Sequence, residues 1–262
     1  MIKKIESKDN KEFKKLKSLK TNSGRKKNKL FLIEGKKMLI EAFESKVSIK
    51  NIIINEDFKN LNILKDSNVN IILLKNSLFN EITEMKNPEG IMASCDFLKN
   101  ETIDFNNNLL ILDNIRDPGN MGTIIRTAES FGYNNILLIN GCVNIYNYKV
   151  LRSSMGSIFR VNLKEIELKD LNTLKNTHLL YSMALSNSAE SIYNMTDIKK
   201  HAIIIGNEAN GVNKKIIDIS DKNVIIPISK NVESLNAAIA ASVTMFYFNL
   251  IKTKKEKKID FN

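Results

Sequence analysis

Apolar residues along this chain fall into short β-branched runs separated by stretches with helical spacing. Leu30–Ile33, Ile49–Ile54, Val69–Leu74 and Ile91–Cys95 have the length and composition of strands. Asn10 to Leu30 reads as a basic helix, with Phe13, Leu16 and Leu19 on one face and Asn22-Ser23-Gly24 as its stop. The strand at Leu30 turns at Glu34-Gly35 into an amphipathic helix. Asp57 to Lys65 suits a helix, and another runs from Asn76 to Met85 before the turn Lys86-Asn87-Pro88-Glu89-Gly90. This alternation predicts a small α/β domain over residues 1–98.

Residues 99–108 are polar, rich in asparagine and aperiodic, and read as a linker. Leu109–Asp113 then reads as a buried strand, Asn114–Gly122 as a turn-rich loop, and Thr123–Phe131 as a helix ended by Gly132. With the strand Asn135–Ile139 this makes a βαβ unit. Tyr148 to Met155 looks helical; Ile158–Val161 and His178–Tyr181 are further strands. Two more apolar runs, His201–Ile205 and Val224–Ile226, each end in a loop marked by glycine or proline. The second loop opens onto a helix of small residues beginning at Ala237. Residues 109–251 are thus predicted to form a larger α/β domain around a parallel sheet, with 252–262 as a basic, frayed tail.

Charge changes this picture. The net charge is +11, and residues 1–30 hold twelve Lys or Arg against Glu6, Asp9 and Glu12. The tail adds five lysines against Glu256 and Asp260, which leaves the body nearly neutral. A basic front end on a neutral body points to a polyanion, with RNA or DNA foremost; the alternative is a solvated lysine surface. No apolar run approaches the roughly 20 residues needed to span a bilayer. Met1-Ile-Lys-Lys-Ile-Glu6 has neither the apolar core nor the cleavage site of a signal peptide. Cys95 and Cys142 lack metal-ligand spacing. A cytoplasmic protein without disulfides or zinc is expected.

The candidate chemistry lies in loops at the carboxyl ends of the predicted strands, where open α/β sheets bind ligands. Glu208, Ser234 and Asn236 are expected to converge there. The alternative is that Gly206 and Gly211 are turn residues and that Ser234 and Asn236 are helix caps. Neither a G-x-G-x-x-G fingerprint nor a Walker-type phosphate loop is present. His178 and His201 sit at strand starts and read as structural. The remaining inventory is amides, one hydroxyl, one carboxylate and one arginine, without metal.

Three stretches resemble the motifs of the SpoU (TrmH-like) RNA ribose methyltransferases. They are Asp117-Pro-Gly-Asn120-Met-Gly122-Thr-Ile-Ile-Arg126-Thr-Ala128, then Ile205-Gly206-Asn207-Glu208-Ala-Asn-Gly211, then Ile226-Pro227-Ile228 with Ser234-Leu235-Asn236-Ala-Ala238. Their order and spacing match the family over residues 109–248. More loosely, Phe31-Leu-Ile-Glu34-Gly35 and Asn87-Pro88-Glu89-Gly90-Ile91 resemble its substrate-binding domain, with Glu89 where glutamine is usual. The resemblance implies a trefoil-knotted C-terminal domain, S-adenosylmethionine as cofactor, and a homodimer. Backbone groups around Gly206, Ile226 and Leu235 would hold the cofactor. Arg126 would lie nearest the ribose 2′-hydroxyl, as a clamp on phosphate or as base. Asn120 and Asn236 would orient sugar or cofactor, Glu208 would hold Arg126, and Ser234 would join the network. The implied reaction is 2′-O-methylation of ribosomal RNA, 23S rRNA by analogy. The alternatives are a tRNA methyltransferase and a non-catalytic RNA-binding or ribosome-assembly protein.

Overall fold

The computed structural model describes residues 2–60, 69–99, 103–139, 141–186 and 188–259. The chain divides into two compact units, Met1–Lys99 with Asn144–Phe159, and Asn100–Val143 with Arg160–Asn262.

The first unit is built on a five-stranded mixed sheet of β1 (Ile2–Ile5), β2 (Leu30–Glu34), β3 (Ile49–Asn55), β4 (Asn70–Leu74) and β5 (Ile91–Asp96). Its order is β1-β4-β3-β5-β2; β1, β4 and β3 run parallel, while β5 is antiparallel to both β3 and β2. Sequence reading finds four of these strands and misses β1. That strand is short, lies at the edge and buries only Ile5, so it shows no apolar run. Lys3 and Lys4 on such an edge oppose pairing with another chain.

The expected single basic helix is two. Lys11–Ser18 is capped by Asn10, whose Oδ1 accepts the Glu12 N–H at 2.9 Å, and Asn22–Asn28 is capped by Thr21. The break is steric as well as conformational. A side chain at Gly24 would run into the Ser18 carbonyl, so the two helices pack closer there than any other residue allows. Phe13, Leu16 and Leu19 all enter the core, as their spacing predicts. The helix expected from Asp57 to Lys65 lies largely outside the described residues; Glu56 and Asp57 form a turn. Glu89 accepts the Lys36 N–H at 3.1 Å, at the start of the helix Lys36–Glu44. Gly35 provides no side-chain cap there. A carboxylate suits that N-terminus through the helix dipole, so glutamate serves where glutamine is usual.

Residues 144–159, placed by sequence reading in the second domain, pack into the first. Tyr146 stacks between Phe31 (centroids 4.6 Å apart) and Phe97 (4.3 Å), and its hydroxyl accepts the Leu98 N–H at 2.9 Å. Arg25 donates to Asn144 Oδ1 at 3.1 Å. The helix Tyr148–Ser154 follows, and a 3₁₀ turn at Ser157–Phe159 stands where a strand was expected.

The second unit is a seven-stranded, wholly parallel sheet. Its strands are β6 (Leu109–Asp113), β7 (Asn135–Ile139), β8 (Asn162–Glu165), β9 (Leu179–Met183), β10 (Glu190–Ser191), β11 (His201–Ile205) and β12 (Lys222–Ile225). The order is β10-β12-β9-β11-β6-β7-β8. Every residue of β6, β7 and β11 is buried, which is why they read as unbroken apolar runs. Residues 103–108 are less a linker than a sill under this sheet. Ile103 belongs to the core, Asn107 O meets His178 Nε2 at 2.9 Å, and Asn108 Oδ1 accepts the His201 N–H at 3.1 Å.

The C-terminal helix spans Ala237–Ile259, so much of the supposed frayed tail is helical. It lies along the helix Pro118–Ser130, with Asn249 donating to the Phe131 carbonyl at 3.2 Å and Phe246 edge-on to Phe131. Among the described residues, no helix is long and apolar enough to cross a membrane.

Candidate active site

Strands β6 and β11 are neighbours whose chains leave in opposite directions, toward β7 and toward β12. The crevice at their carboxyl ends is therefore a topological switch point, where this class of sheet binds ligands. The two loops are tied across it. Asn213 donates its N–H to the buried Asp113 carboxylate at 2.8 Å, and Asn207 Nδ2 donates to the Asn114 carbonyl at 2.8 Å.

On the β6 side, the stretch read as a loop is already helix. Asp117 is the N-cap, its Oδ1 accepting the Asn120 N–H at 2.7 Å, with Pro118 in the first turn. Asp-Pro is a helix-start signal, and it places Asn120 in the first turn rather than on a free loop. On the β11 side, Asn207 and Gly211 exchange both backbone hydrogen bonds, at 3.0 and 2.9 Å, closing a five-residue loop. Gly211 has φ +66° and is a turn glycine. Gly206 is needed for a different reason: a Cβ there would lie 2.2 Å from the Gly211 carbonyl carbon.

Three of the expected site residues form one hydrogen-bonded chain. Asn120 Nδ2 donates to Glu208 Oε1 at 2.6 Å, and Asn236 Nδ2 donates to Asn120 Oδ1 at 3.0 Å. Asn236 Oδ1 accepts the N–H groups of Ala238 (2.9 Å) and Ile239 (3.3 Å) as N-cap of the C-terminal helix. The direction of this chain follows from the inventory of donors and acceptors. A carboxylate only accepts, so Asn120 must present its amide hydrogens to Glu208 and its oxygen to Asn236. The oxygen of Asn236 then remains for the helix. One carboxylate thereby sets the orientation of two amides, the three groups lying on separate elements, and Asn236 caps its helix while meeting Asn120.

Two expectations are corrected. Glu208 does not hold Arg126: it accepts from Asn120 and, at 3.3 Å, from Asn207 Nδ2, and it forms no ion pair among the described residues. Arg126 lies exposed on the helix Pro118–Ser130, and its side chain has no hydrogen bond or ion pair among the described residues. Ser234 is neither cap nor network member; it too is exposed and forms no hydrogen bond among the described residues. Asn207 was missed by sequence reading. It bonds to both loops and to Glu208, and its only sequence signal is its place between Gly206 and Glu208.

Ile226 and Leu235 are half-buried at the two ends of an irregular segment after β12. Within it, the one backbone hydrogen bond among the described residues runs from Val232 N–H to Ser229 O at 3.0 Å. Main-chain donors and acceptors are thus left open beside apolar side chains. Both histidines lie buried away from this crevice. His201 faces the Lys199 carbonyl through Nδ1 at 2.8 Å, so Nδ1 carries the proton and Nε2 accepts from the Tyr133 hydroxyl at 2.7 Å. Burial pushes its pKa down to about 4. Among the described residues, no three His, Cys, Asp or Glu cluster as metal ligands.

Residues 107–246 match the SpoU rRNA Methylase family, and residues 10–93 match an MRM3-like substrate binding domain. The chain is 32% identical over 248 residues to the 23S rRNA (guanosine(2553)-2'-O)-methyltransferase RlmP of Bacillus subtilis (strain 168), covering 94% of this chain and 99% of that one. It is 27% identical to the mitochondrial rRNA methyltransferase 3 of Homo sapiens, over 87% of this chain and 69% of that one. Among solved structures, the AdoMet-bound rRNA methyltransferase from Sinorhizobium meliloti shares the fold, with a TM-score of 0.83 at 22% identity over 94% of this chain and 97% of that one. Order of motifs, switch-point geometry and these matches agree: the chain belongs to the SpoU rRNA methylase family.

Proposed function

We propose that this chain transfers the methyl group of S-adenosylmethionine to a ribose 2′-hydroxyl of ribosomal RNA, 23S rRNA foremost. The observation that carries the reading is the oriented chain Asn236–Asn120–Glu208 across the switch point. It joins all three sequence motifs in one hydrogen-bonded array.

The residues present fit the cofactor. Open main-chain groups between Ile226 and Leu235 suit the edge of an adenine, and those two side chains suit its faces. Gly206 lets the loop beneath close tightly. When bound, S-adenosylmethionine supplies an electrophilic methyl group on a cationic sulfur. The protein's task is then to hold the acceptor oxygen in line, which is a problem of position. Asn120 and Asn236, locked by Glu208, supply fixed dipoles on one side. Arg126 keeps an unpaired charge for an RNA phosphate or the oxygen that gains charge during transfer. Arg126 acts as a clamp through its planar fork of donors; the methyl–oxygen bond forms as the methyl–sulfur bond breaks, and the hydroxyl proton leaves to solvent water. Ser234, exposed beside Leu235, meets the bound RNA or cofactor directly.

Lysines of the first unit supply the grip. Lys11, Lys15, Lys26, Lys27 and Lys29 form no ion pair among the described residues, whereas Lys8 and Lys17 share the carboxylate of Glu81. The reading includes a homodimer. Ile239, Val243 and Phe246 lie on one stripe of the C-terminal helix at 51%, 37% and 52% exposure, an apolar face suited to a second copy. It also includes the trefoil knot, supported by a sheet in which β11 and β12 insert beside strands laid down earlier, and a cytoplasmic, metal-free enzyme.

The test is transfer of labelled methyl from S-adenosylmethionine to unmodified rRNA, with the product mapped by alkali resistance of the adjacent phosphodiester. A labelled, alkali-resistant dinucleotide is expected. Cofactor binding without transfer to rRNA, ribosomal particles or tRNA would instead make the chain a binding protein.

A further inference from the structure

The first unit contains a cavity of about 190 Å³ that the reading above leaves unused. It lies among β2, the helix Lys36–Glu44 and the helix Tyr148–Ser154. That volume exceeds the roughly 150 Å³ of an apolar cavity known to admit a benzene ring. Its walls combine two kinds of surface. Met38, Met85, Met92 and Met155 line it with flexible, polarizable thioethers, which adapt to flat aromatic faces. Beside them stand Arg25 and Glu34.

Arg25 is only 7% exposed, yet no carboxylate pairs with it among the described residues. Its terminal nitrogens donate to the carbonyls of Leu19 (3.2 Å) and Lys20 (3.1 Å) and to Asn144 Oδ1, and its Nε has no partner. The two carbonyls lie just past the end of the helix Lys11–Ser18, so Arg25 also serves that terminus. Its positive charge nevertheless remains unneutralised. Glu34 is half-buried and held by the Thr83 hydroxyl and, at 3.1 Å, the Glu84 N–H. These bonds leave lone pairs free on its carboxylate. A flat ligand carrying both acceptors and donors on its edge matches this pair, and nucleobases have that character. Lys37 and Arg152 stand exposed at the lining, where Lys20 is paired with Glu84 at 3.3 Å and Glu89 faces the Lys36 N–H, so the mouth offers two cations to a phosphate.

We propose that this cavity receives one unstacked base of the RNA substrate, gripping it between thioether walls and reading its edge with Arg25 and Glu34. Bases splayed from the stack are the usual targets of sequence-specific RNA recognition. The proposal rests on the reading of the chain as an RNA enzyme and names how its first unit would choose among RNAs.

The test uses the full chain with ¹³C-methyl methionine, titrated with the four nucleoside 5′-monophosphates and followed by NMR. The methyl signals of Met38, Met85, Met92 and Met155 are expected to shift saturably with at least one nucleotide, while that of Met245, in the core of the second unit, stays still. Met85→Trp should fill the cavity and weaken the response of the other three methionines about tenfold or more, with an unchanged unfolding transition of the first unit as evidence of folding. Glu34→Gln should alter the ranking of the four nucleotides. Motionless cavity methionines with all four nucleotides would overturn the proposal, as would unchanged affinity in Met85→Trp. Absence of methyl transfer by the native chain is a separate result and counts against the enzyme reading alone, because the NMR signals report binding without catalysis.

Discussion

The two units solve opposite problems with the same kinds of elements. The first carries most of the excess charge on two short helices, and a helical segment from far along the chain packs into it. The second is nearly neutral, wholly parallel and buried through its central strands, and its polar groups are concentrated where two loops meet. Long-range attraction needs charge but little accuracy. In-line transfer needs accuracy, and charge helps only at single points. Grip and alignment are thus physically separable, with each unit tolerating changes that would cripple the other.

Changes at the crevice test this hardest. Arg126→Ala is expected to lower methyl transfer about a thousandfold with little change in stability, since its side chain is exposed and unpartnered. Arg126→Lys would restore part of the loss. Single-turnover kinetics together with a melting curve check this. Tyr146→Ala should do the reverse. Removing a ring stacked on Phe31 and Phe97 should cost about 3 kcal/mol or more of stability. Denaturant unfolding followed by probes in each unit would show the first unit weakened and the second unchanged.

A third expectation concerns pH. The buried His201 has a pKa of about 4, against an ordinary value near 6.5. Between these values the unfolded chain binds the extra proton and the native chain does not, so stability is full above about pH 6.5 and falls as pH drops toward 4. The loss is on the order of 3 kcal/mol. His201→Phe should flatten that part of the stability profile, measured by urea unfolding between pH 4 and 7. Next, Asn120→Ala should reduce transfer about a hundredfold, because Glu208 and Asn236 would lose the amide between them. The smallest effect belongs to the grip. Lys26→Ala with Lys27→Ala should weaken RNA binding several-fold and lower the log-log salt slope by roughly 2, leaving kcat unchanged. A matching loss of kcat would break the separation of the two units.

Much of this arrangement is visible in the sequence. Strands β6, β7 and β11 are legible residue by residue, because parallel strands covered on both faces are apolar throughout. β1 is not, since an edge strand with one buried side chain leaves no pattern. Asn120, Glu208 and Asn236 are nameable from their motifs, but which group each holds depends on distances between loops 88 and 116 residues apart in sequence. Arg126 and Glu208 look like a natural ion pair on paper, yet Glu208 accepts from two amides and Arg126 forms no ion pair among the described residues. Residues 144–159 mislead for a related reason. Helical spacing marks Tyr148–Ser154 as a helix, yet nothing local says that Tyr146 belongs beside Phe31.

The return of residues 144–159 to the first unit matters during synthesis. The chain leaves the first unit at Lys99 and returns only at Asn144. At about 5–20 residues per second, a ribosome needs roughly 2 to 10 s to reach Tyr146 from there. Through that interval Phe31 and Phe97 wait without the ring that separates and covers them. The nascent N-terminal part therefore spends seconds with an unfilled aromatic slot, a window in which a chaperone or a stray hydrophobic segment competes for the place Tyr146 will take.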